Sequence, residues 1–335
     1  MTHHLNQEST LCAPGMKMPV IGLGTWQSSE DEIERALDVA LSTGYRHIDT
    51  ALWYRNESAI GGILRKWFIS GKIKREELFI VTKLPPTANR PEFVAKALEQ
   101  SLNDLQLSYV DLYLIHHPVG LAYNEEEGSF LNPPKTLEGK VKIDRTTDHV
   151  AIWKAMEEQV NLGLTKAIGV SNFNIRQIER ILKSAAIPPA TNQVEMYLYC
   201  QKKELHKFCK KAGVTITAYF PLGSPGLERY IKDMGRSADD IRSLNPLEDP
   251  MVENIAHAHK KTPAQILLRH LLQLGVAVIP KSVTPSRIES NFDVFDFELS
   301  TIEMTELNLL DKEKEGSRFA VPYMRGIEEH PEYPD

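Results

Sequence analysis

The sequence predicts an α/β protein: a single (β/α)8 (TIM) barrel with long loops at its C-terminal face and a C-terminal tail. Short apolar runs with strand character alternate with amphipathic helical stretches along most of the 335 residues. Such alternation predicts parallel βα units, and eight of these units close into a barrel. Three successive strands also end in ionisable residues, as expected where the carboxyl ends of barrel strands surround a cavity. No composition shift or repeat divides the chain, so one domain is expected over residues 1–335, with its core at about 18–319.

Eight apolar, β-rich runs supply the predicted strands. A turn at Met16–Pro19 precedes the first of them. Their lengths and their content of branched residues favour strands over helices. The runs lie at residues 20–26, 46–51, 78–84, 110–116, 166–172, 191–196, 214–220 and 276–282.

Helices are predicted between the strands from apolar residues at helical spacing. In the first helix, Ile33 and Leu37 share the apolar face. Ser29 precedes three acidic residues, as expected of a helix start, and Gly44 is placed to end the helix. The other predicted helices lie near residues 57–69, 91–106, 148–162, 174–185, 202–212 and 263–274.

Composition excludes several classes of function. A net charge of −6 and a pI near 6.0 argue against a nucleic-acid surface. Three cysteines without metal-ligand spacing indicate a reducing compartment, and the N-terminus does not have the pattern of a signal peptide. No apolar run is long enough to span a bilayer. A cytoplasmic protein that binds neither nucleic acid nor membrane is expected, and the absence of an obvious self-association stripe favours a monomer.

Three long segments do not fit plain βα connections: residues 118–147, 221–250 and 313–335. Long loops in a compact domain are usually functional lids or disordered linkers. The first two segments follow strands four and seven, so they leave the carboxyl face of the barrel and are interpreted as substrate walls. The tail either folds over the mouth of the barrel or frays.

Four residues at the predicted strand ends have complementary chemistry: Asp49, Tyr54, Lys83 and His116. When hydride reduces a carbonyl group, the oxygen must receive a proton, and the phenol of Tyr54 can supply it. The ammonium group of Lys83 is expected to lower the pKa of that phenol towards neutrality, and Asp49 keeps Lys83 charged in a dry cavity. His116 can donate a hydrogen bond to the carbonyl oxygen.

Simpler explanations exist for these residues. Asp49 could only cap a turn, and Tyr54 could be an ordinary core aromatic. Lys83 is harder to explain in this way, because buried lysines are rare unless they are paired. The pair His116–His117 invites a metal site, but adjacent strand residues point to opposite faces, so no metal is expected.

Six motifs in order resemble the aldo-keto reductase family, of the animal type, over Met18 to Phe319. The resemblance implies a barrel that binds NADPH in an extended form, with Tyr54 as proton donor and Asp49, Lys83 and His116 completing the catalytic set. The motifs are GLGTW (22–26), DTALWYRNE (49–57), the lysine that ends IVTK (80–83), LIHHP (114–118), GVSNF (169–173) and IPKSVTPSRI (279–288).

The resemblance also assigns cofactor positions. Tyr219 matches the aromatic residue that stacks on the nicotinamide, while Lys281 and Arg287 match a clamp for the adenosine 2′-phosphate, which favours NADPH over NADH. The matched positions are Gly24, Thr25, Trp26, Asp49, Ser171, Asn172, Gln193, Tyr219, Phe220, Pro221, Leu222, Ser224, Lys281, Ser282, Val283, Thr284, Arg287 and Asn291.

Some positions depart from the family pattern. Ser290 stands where many members have Glu beside the adenine-binding Asn, and Gly226 stands where some have an Asp that pairs with the phosphate-binding Lys. His117 replaces a common Trp or Phe of the substrate pocket. The residues expected to line that pocket are Trp26, Trp53, Tyr54, His116 and His117.

Three functions are compatible with these residues. The first is NADPH-dependent reduction of an aldehyde or ketone, a small-molecule carbonyl substrate. The chain looks closest to insect members that reduce steroid ketones such as 3-dehydroecdysone, with sugars and lipid aldehydes left open. The second is a Schiff-base aldolase that uses Lys83 or Lys281. The third is a non-catalytic partner protein that senses NADPH.

Overall fold

The structure is a computed structural model that describes residues 5–227, 244–318 and 324–334. Part of two predicted long segments, 221–250 and 313–335, therefore lies outside the described residues. Phe319, where the predicted core ends, also lies outside them. Among the residues that the structure describes, no helix combines the length and the apolar run that crossing a bilayer requires.

The first element is an antiparallel hairpin of β1 (Thr10–Ala13) and β2 (Met16–Pro19). The turn predicted at Met16–Pro19 is therefore wrong. The chain reverses one step earlier, at Gly15, whose φ of +73° costs little in a residue without Cβ. Met16 and Met18 are buried in one cluster with residues from the first half of several barrel strands. The hairpin thus covers the N-terminal end of the barrel.

Eight parallel strands form the barrel, and each pairs with the next one in chain order. Two bridges, Ile21 to Val278 and Gly24 to Lys281, join the first strand to the last and close the sheet. The predicted (β/α)8 fold is confirmed. The strands are β3 (Leu23–Gly24), β4 (His47–Asp49), β5 (Phe79–Leu84), β6 (Val110–Ile115), β7 (Thr165–Ser171), β8 (Thr191–Glu195), β9 (Thr215–Tyr219) and β10 (Ala277–Val278).

The seam where β3 meets β10 closes the barrel. Each of these strands is two residues long, which is shorter than the runs 20–26 and 276–282 that the sequence predicts as strands. Backbone bonds continue past the strands, with Gly22 N donating to Val278 O at 2.9 Å and Gly24 N to Pro280 O at 3.1 Å. A Cβ atom on Gly24 would lie only 2.7 Å from Ile279 O. Because only glycine fits at this approach, the seam depends on Gly24.

Ten helices are assigned among the described residues, and most of them cover the barrel. The start and end predicted for the first helix are confirmed, since Ser29 and Glu32 form a capping box and Gly44 is the C-cap. The helices are α1 (Glu30–Thr43), α2 (Glu57–Ile69), α3 (Pro91–Leu105), α4 (His149–Asn161), α5 (Ile175–Leu182), α6 (Lys203–Ala212), α7 (Pro250–His259), α8 (Pro263–Gln273), α9 (Pro285–Phe292) and α10 (Thr301–Leu309).

Three of these helices, α7, α9 and α10, were not predicted. All three carry start signals in the sequence. α7 and α9 begin with proline at the first helical position, Pro250 and Pro285, and Ser300 and Glu303 form a capping box at α10. Of the three, only α10 has a weak apolar periodicity.

The tail and the loop after β6 pack together in one apolar cluster. Its buried centre includes Leu121 and Val141 from the loop and Ile327 from the tail, with Trp53 and Tyr333 packed against it. Two alternatives were left open for the tail, and the described residues 324–334 fold over the barrel mouth. The loop at 118–147 and tail residues 324–334 thus form one structure, called here the lid.

At the opposite end of the barrel, a buried carboxylate is surrounded by cations. Asp111, at the start of β6, accepts bonds from Arg75 at 2.8 Å, from Lys166 at 2.9 Å and from the backbone N–H of Ile80 at 2.9 Å. The Asp111 side chain is only 4% exposed, so its charge depends on these partners. The cluster ties β6 to β5, to β7 and to the turn before β5.

We predict that Asp111→Ala lowers the free energy of unfolding by about 3 kcal/mol, because removing one partner leaves a largely buried Arg75 without its counter-ion. Urea unfolding followed by circular dichroism would measure the change. Glu34→Ala is the matched control, since Glu34 pairs with Lys66 at the surface, where an ion pair contributes little. Equal losses in the two variants would contradict the prediction.

Candidate active site

A cavity of about 1450 Å³ opens at the carboxyl ends of the barrel strands. Every position predicted for cofactor or substrate binding lines it, from Gly24 on β3 to Asn291 on α9. Three of the four predicted catalytic residues, Asp49, Tyr54 and His116, line it as well. The fourth, Lys83, is fully buried behind them. The structure therefore brings the predicted residues together around one cavity.

Lys83 connects the acidic and phenolic groups of the site. Its Nζ atom donates to Asp49 Oδ1 at 2.6 Å, to the carbonyl oxygen of Thr50 at 2.8 Å and to Tyr54 Oη at 3.2 Å. An ammonium group has three protons, and all three are engaged. The second oxygen of Asp49 accepts a bond from Gln193 Nε2 at 2.6 Å, which links β4 to β8. This network joins residues of three different strands.

The protonation states follow from burial and from neighbouring charges. Burial alone would lower the pKa of Lys83, but the attraction of Asp49 and the hydrogen bonds to Asp49 and Tyr54 outweigh it, so the pKa is raised. Lys83 is therefore an ammonium. For Tyr54 the expectation of a lowered pKa is wrong: burial raises the pKa above its ordinary value, and the opposing effect of Lys83 is smaller. Tyr54 is a phenol that holds its proton.

His116 follows β6 and faces Tyr54, with ring centroids 5.6 Å apart in an edge-on arrangement. Burial, and then the charge of Lys83, hold the pKa of His116 well below its usual range, so the ring is neutral. The ring of His117 also lines the cavity. The prediction that the side chains of His116 and His117 point to opposite faces of a strand does not apply, because β6 ends at Ile115, before both residues. His117 Nδ1 instead accepts a bond from the backbone N–H of Val119 at 3.2 Å.

The polar side chains matched to the nicotinamide end form a connected set. Asn172 Nδ2 donates to the backbone oxygen of His116 at 3.0 Å and to Ser171 Oγ at 3.2 Å, and Tyr219 Oη donates to Asn172 Oδ1 at 2.7 Å. Asn172 has a φ of +65°, a conformation that asparagine tolerates better than most residues. The ring of Phe220 packs edge-on against that of Tyr219, and its centroid lies 5.5 Å from the ring centroid of Trp26.

The other end of the cavity has the donors that a phosphate requires. Lys281 and Arg287 lie there with the hydroxyls of Ser282 and Thr284. Lys281 Nζ donates to the backbone oxygen of Gln27 at 3.4 Å, and burial lowers the pKa of Lys281 while Glu32 opposes that change. Two cations beside two hydroxyls fit a phosphate monoester, so these residues suit the 2′-phosphate of NADPH.

The substrate end is lined by more residues than were predicted. Leu131 of the loop and Met324, Tyr333 and Pro334 of the tail complete the walls. The ring of Tyr333 lies 6.3 Å from that of His117. The tail carries several aromatics and prolines, but that composition does not show which surface they contact. Sequence reasoning therefore missed the individual residues of the lid.

Glu332 anchors the tail to α5. Its carboxylate accepts bonds from Arg180 at 2.7 and 3.1 Å and from Gln177 Nε2 at 3.0 Å. Burial would raise the pKa of Glu332, but the bonds from Arg180 and Gln177 outweigh it and lower the pKa to about 2. The anchor therefore stays charged across the whole physiological range, and it fixes the neighbouring Tyr333 at the cavity.

Known proteins are similar to this chain over most of its length. The family model described as "Aldo/keto reductase family" matches residues 20–312. "Aldo-keto reductase family 1 member A1" of Rattus norvegicus is 45% identical over 320 residues, 95% of this chain and 93% of that protein. The Homo sapiens protein of the same name is 45% identical over 92% of this chain and 90% of its own length. The solved "Structure of the Aldose Reductase from Schistosoma japonicum" has a TM-score of 0.83 and 44% identity, covering 95% of each chain.

We predict that Asp49→Asn destabilises the fold at pH 7 by about 3–5 kcal/mol, because Lys83 then stays buried without a counter-ion. Without Asp49, burial dominates and the pKa of Lys83 in the folded state falls below that of the unfolded chain. The unfolded state then binds more protons between the two pKa values, so the stability of the variant rises with pH there. In urea unfolding, the difference in the free energy of unfolding between variant and parent should be smaller at pH 10 than at pH 7. A difference that is equal at both pH values would contradict this.

Proposed function

This chain belongs to the aldo/keto reductase family, whose members reduce carbonyl groups with NADPH, and from that membership we propose that Tyr54 protonates the oxygen of an aldehyde or ketone during reduction. One observation carries the proposal. The buried ammonium of Lys83 contacts both Asp49, at 2.6 Å, and Tyr54, at 3.2 Å, at the wall of the cavity. That geometry suits an acid whose conjugate base is stabilised by a fixed cation.

NADPH, when bound, supplies the hydride that forms the new C–H bond on the carbonyl carbon. The electron pair of the carbonyl bond moves to the oxygen, which takes the proton of Tyr54. Lys83 stabilises the phenolate that remains, and Asp49 keeps Lys83 protonated. A phenol with a raised pKa keeps its proton in the resting site. It gives the proton up to an alkoxide, which is a far stronger base than a phenolate.

We assign to His116 the hydrogen bond that orients the carbonyl oxygen. A neutral imidazole carries one ring N–H, and His116 is neutral because it is buried beside Lys83. A neutral ring donates a hydrogen bond without giving up a proton, so the acid role stays with Tyr54. Trp53 and Tyr54 flank the same ring, with centroids at 6.4 and 5.6 Å, and they limit its rotation.

The aldolase alternative does not suit the chemistry of Lys83. A Schiff base requires a neutral amine, whereas Lys83 is an ammonium with all three protons engaged. Lys281 lies among the groups suited to a phosphate, away from Tyr54. A non-catalytic sensor of NADPH would not require the Asp49–Lys83–Tyr54 network. Oxidation of NADPH by a simple aldehyde, followed at 340 nm, separates a sensor from an enzyme.

The substrate that the walls fit best is a carbonyl group attached to a hydrophobic body. Trp26, Trp53 and Phe220 contribute aromatic surface, and Leu131 and Met324 add aliphatic surface. A steroid ketone such as 3-dehydroecdysone is the large candidate of this class. A panel of that ketone, a medium-chain lipid aldehyde and an aldose, compared by kcat/KM, tests the assignment. Preference for the aldose would overturn it.

The remaining expectations for this chain are proposals of the same kind. A single barrel domain over residues 1–335, a monomer that takes only a small-molecule carbonyl substrate, and a cytoplasmic location stay predictions from the sequence. Sedimentation velocity of the purified chain tests the monomer, since the molecular mass that it gives would be about twice as large for a dimer.

We predict that Tyr54→Phe lowers kcat by at least about 100-fold, because the variant has no proton to give the forming alkoxide. The dissociation constant of NADPH should change less than about twofold. Initial rates with a simple aldehyde and quenching of tryptophan fluorescence by NADPH measure the two quantities. Tyr109→Phe, at the opposite end of the barrel, is the control and should keep the parent rate. Turnover at the parent rate in Tyr54→Phe would remove Tyr54 from the acid role.

We predict that Glu332→Ala raises KM for a hydrophobic aldehyde on the order of 10-fold, because the tail loses its contacts to Arg180 and Tyr333 no longer lines the cavity. NADPH binding should be unchanged. Steady-state kinetics over a range of aldehyde lengths measure this effect. Glu329→Ala is the matched control, since Glu329 lies on the same tail and pairs with Lys140 of the loop at the surface, where an ion pair contributes little. Equal kinetics in the two variants would show that the anchor does not shape the pocket.

A further inference from the structure

A carboxyl group that the proposed reaction does not use lies just outside the barrel wall. Glu57, in the first turn of α2, is 2% exposed. Its Oε1 atom accepts a bond from Thr82 Oγ1 at 2.6 Å, and the hydroxyl of Ser101 lies 3.3 Å from that of Thr82. Burying a carboxyl group between helices and strands is costly. A role beyond packing would account for its presence.

The bond between Glu57 and Thr82 joins the two elements that carry the proposed catalytic pair. Thr82 directly precedes Lys83 on β5, and Glu57 follows Tyr54 by three residues. Successive strand residues point to opposite faces, so Lys83 points into the barrel while Thr82 points at the helices. One contact on the outer face therefore fixes the spacing of two side chains on the inner face.

The segment that carries Tyr54 needs such support. Tyr54 ends a single 3-10 turn, and Arg55 follows it in the left-handed region with φ of +58°. Asn56 holds one side of this segment, because its Nδ2 atom donates to the backbone oxygens of Thr25, at 2.9 Å, and Ser28, at 3.2 Å. Glu57 holds the other side. The bond from Lys83 to Tyr54, at 3.2 Å, is at the long end of the usual range.

We propose that Glu57 and Thr82 are positioning residues, whose hydrogen bond holds Tyr54 and Lys83 at the distance that proton transfer requires. The inference deepens the proposed function, because it rests on Tyr54 acting as the acid. Neither residue touches the cavity. Both act through the backbone that they join.

The charge of Glu57 adds a second link to Tyr54. Burial raises the pKa of Glu57 to about 7, and the hydroxyls of Thr82 and Ser101 oppose that rise. The other ionisable groups around it are Asp104 on α3, which raises its pKa, Lys83 on β5, which lowers it, and Tyr113 on β6. An ionised Glu57 in turn raises the pKa of Tyr54. Protonated Glu57, below pH 7, therefore leaves Tyr54 the better acid.

Thr82→Val tests the contact, since it keeps the shape of the side chain and removes the donor. We expect kcat to fall about 10- to 100-fold, as for a small misplacement of reacting groups, with KM and NADPH affinity within about twofold of the parent. Thr82→Ser restores the hydroxyl and should recover kcat. Parent kcat in Thr82→Val, or equal losses in the valine and serine variants, would overturn the proposal.

A crystal structure of Thr82→Val gives a reading that does not depend on turnover. The proposal requires the distance from Tyr54 Oη to Lys83 Nζ to exceed about 3.5 Å, beyond a hydrogen bond. An unchanged distance would refute it. If Tyr54→Phe kept full turnover, the proposed function would fail, and this distance would still decide whether the contact positions the pair.

Glu57→Gln tests the effect of the charge of Glu57, and it is the alternative variant if Thr82→Val does not fold. The glutamine oxygen still accepts the bond from Thr82, so kcat at pH 6 should stay within about threefold of the parent. The parent should lose kcat between pH 6 and pH 8 by a larger factor than the variant, because only the parent acquires a charge near Tyr54. Identical pH profiles would overturn this part of the inference.

Discussion

The buried ion pair of Lys83 and Asp49 is the interaction on which the rest of the site depends. Both side chains are almost completely removed from water, at 0% and 2% exposure, so neither charge is tolerable without the other. Thr50 and Tyr54 accept the other two bonds of Lys83, and Gln193 donates to the second oxygen of Asp49. Because Gln193 comes from β8, far from β4 in the sheet order, only a closed barrel completes the network. The network of the candidate active site therefore forms only when the barrel is closed.

That closure also explains where the groove proposed for the cofactor lies. At the seam, Gly24 pairs with Lys281, and the backbones approach too closely for any side chain at residue 24. Past the ends of β3 and β9, the ring centroids of Trp26 and Phe220 lie 5.5 Å apart. The positively charged end of the cavity, with Lys281 and Arg287, continues from the same seam. The groove proposed for the cofactor therefore lies where β3 and β10, the shortest regular strands of the barrel, meet.

Much of this fold could be predicted from the sequence, because strand and helix periods and cap residues are local signals. The helix at Glu57–Ile69 and the capping of α1 are examples. The same local signals locate the strand ends, and these predict that Asp49, Lys83 and His116 lie near one another. The hairpin of β1 and β2 was missed. The alternating burial of β2 is a period-2 pattern, but four residues are too few to identify a strand. The raised pKa of Tyr54 and the anchor of Glu332 on Arg180 depend on burial and on long-range contacts, which no local pattern contains.

For the proposed role of Tyr54 as the acid, its raised pKa favours one direction of the reaction. Reduction consumes a proton that the phenol must hold, whereas oxidation of an alcohol requires a phenolate to accept one. Burial favours the phenol and Lys83 favours the phenolate, and burial is the larger of the two effects. At neutral pH the free site is therefore in the protonation state that reduction uses. The ammonium of Lys83 does not make Tyr54 acidic at rest; it limits the cost of the phenolate that forms when the proton leaves.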